Sequence, residues 1–187
     1  ACPSRLDIPA VLRALAHDAR AEAARLVYQS LAIPNLLGAV CPAPCERRCR
    51  RRDVDAPLAI RLLHPQTAFE SAPALPSTPT GRRIAIIGAG PAGLATAFFL
   101  QTRGHACRII DQQPGAGGAL RQQPGFPAEA LDRDLDVLHK LGIAFAFNTR
   151  IDSAGAWDDL AAGADALVLC CGETGAEPLA RCLNIPP

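Results

Sequence analysis

The sequence predicts an α/β protein, with a small all-α front domain ahead of a parallel sheet. Three observations predict it. The first 37 residues carry apolar side chains at helical spacing, and three cysteines, Cys41, Cys45 and Cys49, follow in "VCPAPCERRCRRR". From residue 83 onward, short apolar runs alternate with helical stretches, the pattern of βαβ units. Between the first such run and its helix stands "GAGPAG", which places Gly88, Gly90 and Gly93 at the spacing of a Rossmann-like dinucleotide turn. The expected division is a helical domain over 1–70, a linker over 71–82 and a Rossmann-like domain over 83–187.

Each element has a local reason. Asp7 is placed to cap "IPAVLRALAH", with Pro9 in the first turn, where a missing N–H costs little. Asp18 is expected to cap "ARAEAARLVYQSLA", whose Ala23, Leu26, Val27 and Leu31 share one face, and Pro34 to end that helix. Pro42 and Pro44 hold the first two cysteines of the loop extended, and Cys45 and Cys49 are spaced to stack one turn apart on a helix. Residues 64–80, "HPQTAFESAPALPSTPT", are connector in composition. Beyond them come a strand at 84–87, a helix at 91–102 and a strand at 107–110. A glycine-rich loop at 114–118, a helix at 129–141 and strands at 143–147 and 166–170 complete the pattern.

Composition narrows the function classes. A 49% hydrophobic chain with 20% charged residues and a net charge of +1 has no bulk reason to bind nucleic acid or a membrane surface. No apolar run approaches a bilayer span, and the N-terminus lacks a signal-peptide plan, so the expected compartment is the cytoplasm. The chain begins Ala-Cys, contains no methionine and stops at "LNIPP", which reads as a segment of a longer polypeptide.

In the glycine turn, the first glycine permits the tight bend and the second lets backbone approach a pyrophosphate. The third lets helix pack on strand, and the phosphate meets the positive end of the helix. Asp111 ends the second strand, near the offset expected for a carboxylate that holds a ribose hydroxyl. "PGAGGALR" adds Gly117 and Gly118, a second loop able to approach a cofactor closely, and this points to FAD.

The cysteine loop has three chemical readings. Disulfides are disfavoured by a reducing compartment. Zinc and iron–sulfur both accept C-x3-C spacing, and geometry alone does not choose between them. The neighbouring flavin motif favours iron–sulfur, because zinc has no redox role beside a flavin. Cys107, Cys170, Cys171 and Cys182 read as structural thiols, and the run Arg47, Arg48, Arg50, Arg51, Arg52 as a solvated face, a counter-charge to a cluster or a dock for an acidic partner.

"CPSRLDIPAVLRAL", "VCPAPCERRC", "GRRIAIIGAGPAGLATAFFLQTRGHACRIID", "GGALR" and "LGIAFAFNTRI" together resemble the small-subunit family of glutamate synthase. The same module is similar to the N-terminal half of dihydropyrimidine dehydrogenase. The resemblance implies a helical front that binds one or two 4Fe-4S clusters, and FAD and NAD(P)H in successive Rossmann-like domains. It implies Cys2, Cys41 and Cys45 as ligands of one cluster. His64 stands at or near the fourth position, where the family has Glu or Gln. Cys49 would serve a second cluster or complete a four-cysteine site. The implied flavin contacts are Gly88, Ala89, Gly90, Pro91, Ala92, Gly93, Asp111 and Gln112, then Gly118, Ala119, Leu120 and Arg121, with Ile151 and Gly172. The family's second glycine fingerprint is absent, and Pro127 stands where it carries a basic residue. The Rossmann-like part is therefore expected to be incomplete here.

The expected function is an electron-transfer subunit or segment of a flavin and 4Fe-4S oxidoreductase, working with other redox subunits and with NAD(P)H bound elsewhere. The rivals are a stand-alone flavoprotein with structural zinc and a non-catalytic assembly scaffold. No general base or partnered nucleophile is visible, so no catalytic side chain is expected.

Overall fold

Several helix starts in this chain are set by proline or by a side-chain cap, and the computed structural model shows where; it describes residues 2–68, 73 and 78–172. Helix α1, Ile8–Ala16, begins after Asp7, whose carboxylate accepts the Ala10 N–H at 3.0 Å. Helix α2, Arg20–Tyr28, begins after Ala19 with no side-chain cap. Asp18 does not cap it, because its backbone is left-handed (φ +53°) and its carboxylate takes the Arg20 guanidinium instead. Pro34 does not end a helix but opens α3, Pro34–Val40, its missing N–H falling where no intrahelical partner exists.

The cysteine loop is more broken than its spacing suggests. Cys41 is extended, Ala43 is left-handed at φ +48°, and Pro44 opens the single turn α4, Pro44–Arg47. Cys45 lies on α4, but the turn is over before Cys49, which is extended at the head of a 3₁₀ turn, Arg50–Asp53. The two cysteines therefore do not share a helix. Helix α5, Ile60–Ala68, carries His64 and runs through Pro65, so 64–68 are helix rather than connector. It crosses α3 at Gly38, where any Cβ would lie 2.6 Å from the Pro65 ring.

The chain forms two compact units. The first comprises residues up to Pro73 together with Pro127–Val137, and the second comprises Ala74–Phe126 and Leu138 onward. The first has a core of Leu6, Ile8, Val11, Ala14, Ala23, Val27, Leu31, Ile60 and Cys45, with Cys2 packed against it. The second holds a four-stranded parallel sheet of order β3-β2-β1-β4, formed by β1 Arg83–Ile87, β2 Ala106–Ile110, β3 Ala144–Ala146 and β4 Ala166–Leu169. Helix α6, Pro91–Gln101, buries Leu94, Ala97 and Phe98 as it returns from β1 to β2. Helix α7, Ala128–Lys140, follows β2 in sequence, and α8, Ala154–Ala162, opens at Ser153, whose Oγ accepts the Ala156 N–H. No helix among the described residues is long and apolar enough to cross a membrane.

Candidate cofactor sites

At the carboxyl end of the sheet, β1 runs into the glycine turn. Gly88 has φ +109°, and a Cβ there would lie 2.2 Å from the Cys170 carbonyl oxygen. A Cβ on Gly93 would lie 1.9 Å from the Gly88 oxygen, so turn and helix touch backbone to backbone. Gly90 differs: its Cβ would meet only the Gly118 Cα, at 3.9 Å. Gly90 thus faces open space with the second glycine loop at its edge, the cradle a pyrophosphate requires. Pro91 opens α6 and has no N–H, which leaves the N–H groups of Ala92 and Gly93 at the positive helix end.

The second loop is tied to the first. The Gly117 N–H donates to Ala89 O at 2.9 Å, and Gly118, at φ +55°, would press a Cβ to 3.0 Å from Gly90 Cα. Ala119, Leu120 and Arg121 follow on a 3₁₀ turn, Gly118–Gln122. Arg121 folds back over its own loop: its Nε donates to Ala116 O and its guanidinium lies 5.5 Å from the Phe126 ring centre. Asp111 is held by two main-chain donors, Ala89 N–H at 2.6 Å and Gln113 N–H at 2.7 Å. The carboxylate is thereby aimed along the glycine turn. Gln112 and Gly172 are exposed and Ile151 is half-buried, and among the described residues no hydrogen bond joins these three to the turn.

In the helical unit, Cys45 is 8% exposed, and burial pushes its thiol pKa above the ordinary value. N–H groups of Glu46 and of Cys45 itself oppose that shift, while Cys2 and Cys41 stand close enough for their charge to add to it. Cys41 Sγ accepts the Ala43 N–H at 3.4 Å, a bond made possible by the left-handed Ala43. Arg61 fastens this loop to α5: its side chain donates to Cys41 O at 3.2 Å and its N–H to Glu46 Oε1 at 2.8 Å. Cys49 lies in a different environment, where N–H groups of Leu58 and Arg51 hold its thiol below the ordinary value. His64 is 5% exposed and its Nδ1 is buried without a hydrogen-bond partner in the described structure.

Cys45 with its electrostatic neighbours Cys2 and Cys41 offers thiol donors of the kind that suit iron–sulfur chemistry, and the buried His64 Nδ1 is a further nitrogen donor with no hydrogen-bond partner among the described residues. Among the described residues, no three His, Cys, Asp or Glu side chains converge on a single-ion site. A cluster spreads its ligands over several irons and does not need that convergence. The seven described cysteines are all free thiols. Cys182 lies outside the described residues. Sequence reasoning missed Ala43, Glu46 and Arg61 as the frame of this loop; only the pair of prolines hinted at it.

Comparison with known proteins matches each half of the chain to a family. Residues 1–71 match the family profile described as dihydropyrimidine dehydrogenase domain II, 4Fe-4S cluster, and residues 86–152 match an NAD(P)-binding Rossmann-like domain. The beta subunit of an NADPH-Fe(3+) oxidoreductase from Geobacter sulfurreducens is 32% identical over 189 residues, covering 95% of this chain and 28% of that protein. The beta subunit of an NADP(+)-dependent formate dehydrogenase from Moorella thermoacetica is 34% identical, covering 91% of the chain and 28% of that protein. The small chain of the NADPH glutamate synthase from Bacillus subtilis is 34% identical, covering 81% of the chain and 32% of that protein. The chain thus spans about a third or less of the length of these relatives.

Proposed function

The chain belongs to the glutamate synthase small-chain family, and from that footing we propose that it is an electron-transfer piece of a flavin and iron–sulfur oxidoreductase linked to NAD(P)H. One observation carries the reading: Cys45 sits in the core of the helical unit with Cys2 and Cys41 as electrostatic neighbours. A 4Fe-4S cluster is assigned to Cys2, Cys41 and Cys45, with His64 as fourth ligand. Cys49, in its separate nest of N–H groups, is assigned to a second cluster.

In the α/β unit, the cofactor assigned is FAD. Gly90, Pro91 and the Ala92 and Gly93 N–H groups would hold its pyrophosphate, and Asp111 would accept from a ribose hydroxyl. Gly88 and Ala89 shape the turn, while Gly118, Ala119, Leu120 and the braced Arg121 form the second wall. Gln112, Ile151 and Gly172 are assigned to the same site. The matched profile is named for NAD(P), and the FAD reading rests on Gly118 meeting Gly90 at the cradle edge. When bound, a flavin takes two electrons as hydride and releases them singly, and a cluster carries one at a time. NAD(P)H and the other redox centres are assigned to further domains or subunits, and free thiols in this role suit the cytoplasm.

Oxygen-free purification followed by iron, acid-labile sulfide and flavin counts tests the reading. Iron and sulfide in equal amounts with bound FAD are expected. Stoichiometric zinc without sulfide would overturn the cluster, and nicotinamide bound at the glycine turn in place of flavin would overturn FAD.

A further inference from the structure

The segment from Val40 to Leu62 presents an unusual surface. Arg47, Arg48, Arg50, Arg51 and Arg52 are all exposed, and among them stands Val54, 85% exposed. Val40 and Leu62, at the two ends of the segment, are 39% and 53% exposed. Hydrogen bonds hold the segment together as one surface: Arg47 to Pro42 O, Arg52 to Arg47 O, and Arg61 to Cys41 O. Arg51 is paired with Asp55 at 2.7 Å, but Arg48 and Arg50 have no carboxylate partner among the described residues. Six arginines face three carboxylates here, in a chain whose net charge is only +1.

We propose that this face is the docking surface for a small acidic electron-carrier protein, one that exchanges single electrons with the cluster assigned to the loop. The inference rests on the iron–sulfur reading of Cys2, Cys41 and Cys45. Guanidinium groups pair with carboxylates in a planar, two-bond geometry, and a charged rim with a few apolar residues gives fast, short-lived encounters. The arginines flank Cys45 and Cys49 in sequence, so a carrier seated on them meets the cysteine loop. Each encounter moves one electron, oxidising one iron centre and reducing the other, with no bond or proton moved. Nucleic acid fits less well, because the segment has no aromatic residue on which a base could stack. A membrane surface fits less well too, since a one-turn helix and a 3₁₀ turn offer no amphipathic helical face.

The test uses the full-length holoprotein and a plant-type 2Fe–2S ferredoxin as the probe, with electron exchange followed by stopped flow at low and high salt. Wild type is expected to exchange fast at low salt and to slow as salt rises. Arg48→Glu together with Arg50→Glu should lower the low-salt rate roughly tenfold or more and flatten its salt dependence. Val54→Asp should lower the rate with less effect on the salt slope. Iron content and visible spectrum should be unchanged in both variants. Wild-type rates and salt slopes in the double variant would overturn the proposal, as would oligouridine binding that these arginines alone support. So would arginines shielded from phenylglyoxal in the full-length protein by a segment of its own chain. Absence of iron from wild type would defeat the cluster reading instead. Docking would then still be read separately, from the shifts of ferredoxin resonances on titration with the protein.

Discussion

Asp134 and Asn35 are 99 residues apart in the chain, yet the Asp134 carboxylate accepts both the main-chain N–H and the side-chain amide of Asn35, at 3.1 and 2.8 Å. Its other oxygen accepts the Leu36 N–H at 2.8 Å, so a carboxylate on α7 caps α3. Asp134 is 1% exposed, and burial outweighs these three bonds, pushing its pKa from 3.8 to about 6. The native state therefore holds this proton more tightly than the unfolded chain. The group's contribution is full below pH about 4 and is lost as pH rises through about 6, a change of about 3 kcal/mol. Asp134→Asn should remove that dependence. In urea denaturation followed by circular dichroism, the stability gap between wild type and variant should move in favour of wild type as pH falls from neutral to about 4. A gap independent of pH would refute the assignment.

Gly90 and Gly93 should fail in opposite ways. Gly93→Ala drives a Cβ into backbone 1.9 Å away, so it should cost at least 3 kcal/mol of stability in the α/β unit, more than ordinary overpacking of about 1–3 kcal/mol. Gly90→Ala meets nothing closer than 3.9 Å and should leave the fold intact. Gly90→Val should then abolish FAD retention while the thermal transition of its apoprotein stays near that of the wild-type apoprotein. Equal loss of stability in Gly90→Ala and Gly93→Ala would contradict the geometry.

Asp111→Ala should release the Ala89 and Gln113 N–H groups and remove the ribose acceptor. The loss of one charged hydrogen bond to the cofactor, about 1.5–3 kcal/mol, corresponds to roughly 10- to 150-fold weaker FAD binding. Flavin fluorescence titration of the apoprotein measures it. Unchanged affinity would place the ribose elsewhere.

Cys45→Ser should eliminate the signal of one cluster and lower the iron count, whereas Cys49→Ser should affect only a second cluster. Identical losses from both changes would merge the two into a single site. For His64, protein labelled with ¹⁵N-histidine should change the nitrogen coupling in pulsed EPR of the reduced cluster. Absence of any nitrogen coupling would remove His64 from the ligand set.

The parts legible in the sequence were those decided within a few residues. β1, the glycine turn, α6 and β2 follow from an apolar run, three glycines and a second run, and each interaction spans one turn or one crossover. Asp7 capped its helix because its partner is Ala10. Asp18 misled, because a left-handed backbone at that residue has no local signature beyond Asp's tolerance for it. α8 went unread because its apolar and polar residues hardly segregate by face, and only Ser153 marks its start. The least legible feature was the membership of Pro127–Val137 in the helical unit, since nothing near Asp134 in sequence announces a partner 99 residues upstream.

That long reach bears on the order in which a ribosome delivers the protein. Helix α3 receives its buried acceptor only once residue 134 has emerged, on the order of 5–20 s after residue 35 at ordinary elongation rates. The amino-terminal half is translated first but cannot be finished first. The cysteine-bearing end must wait, incompletely latched, while the glycine turn is already being spun out behind it.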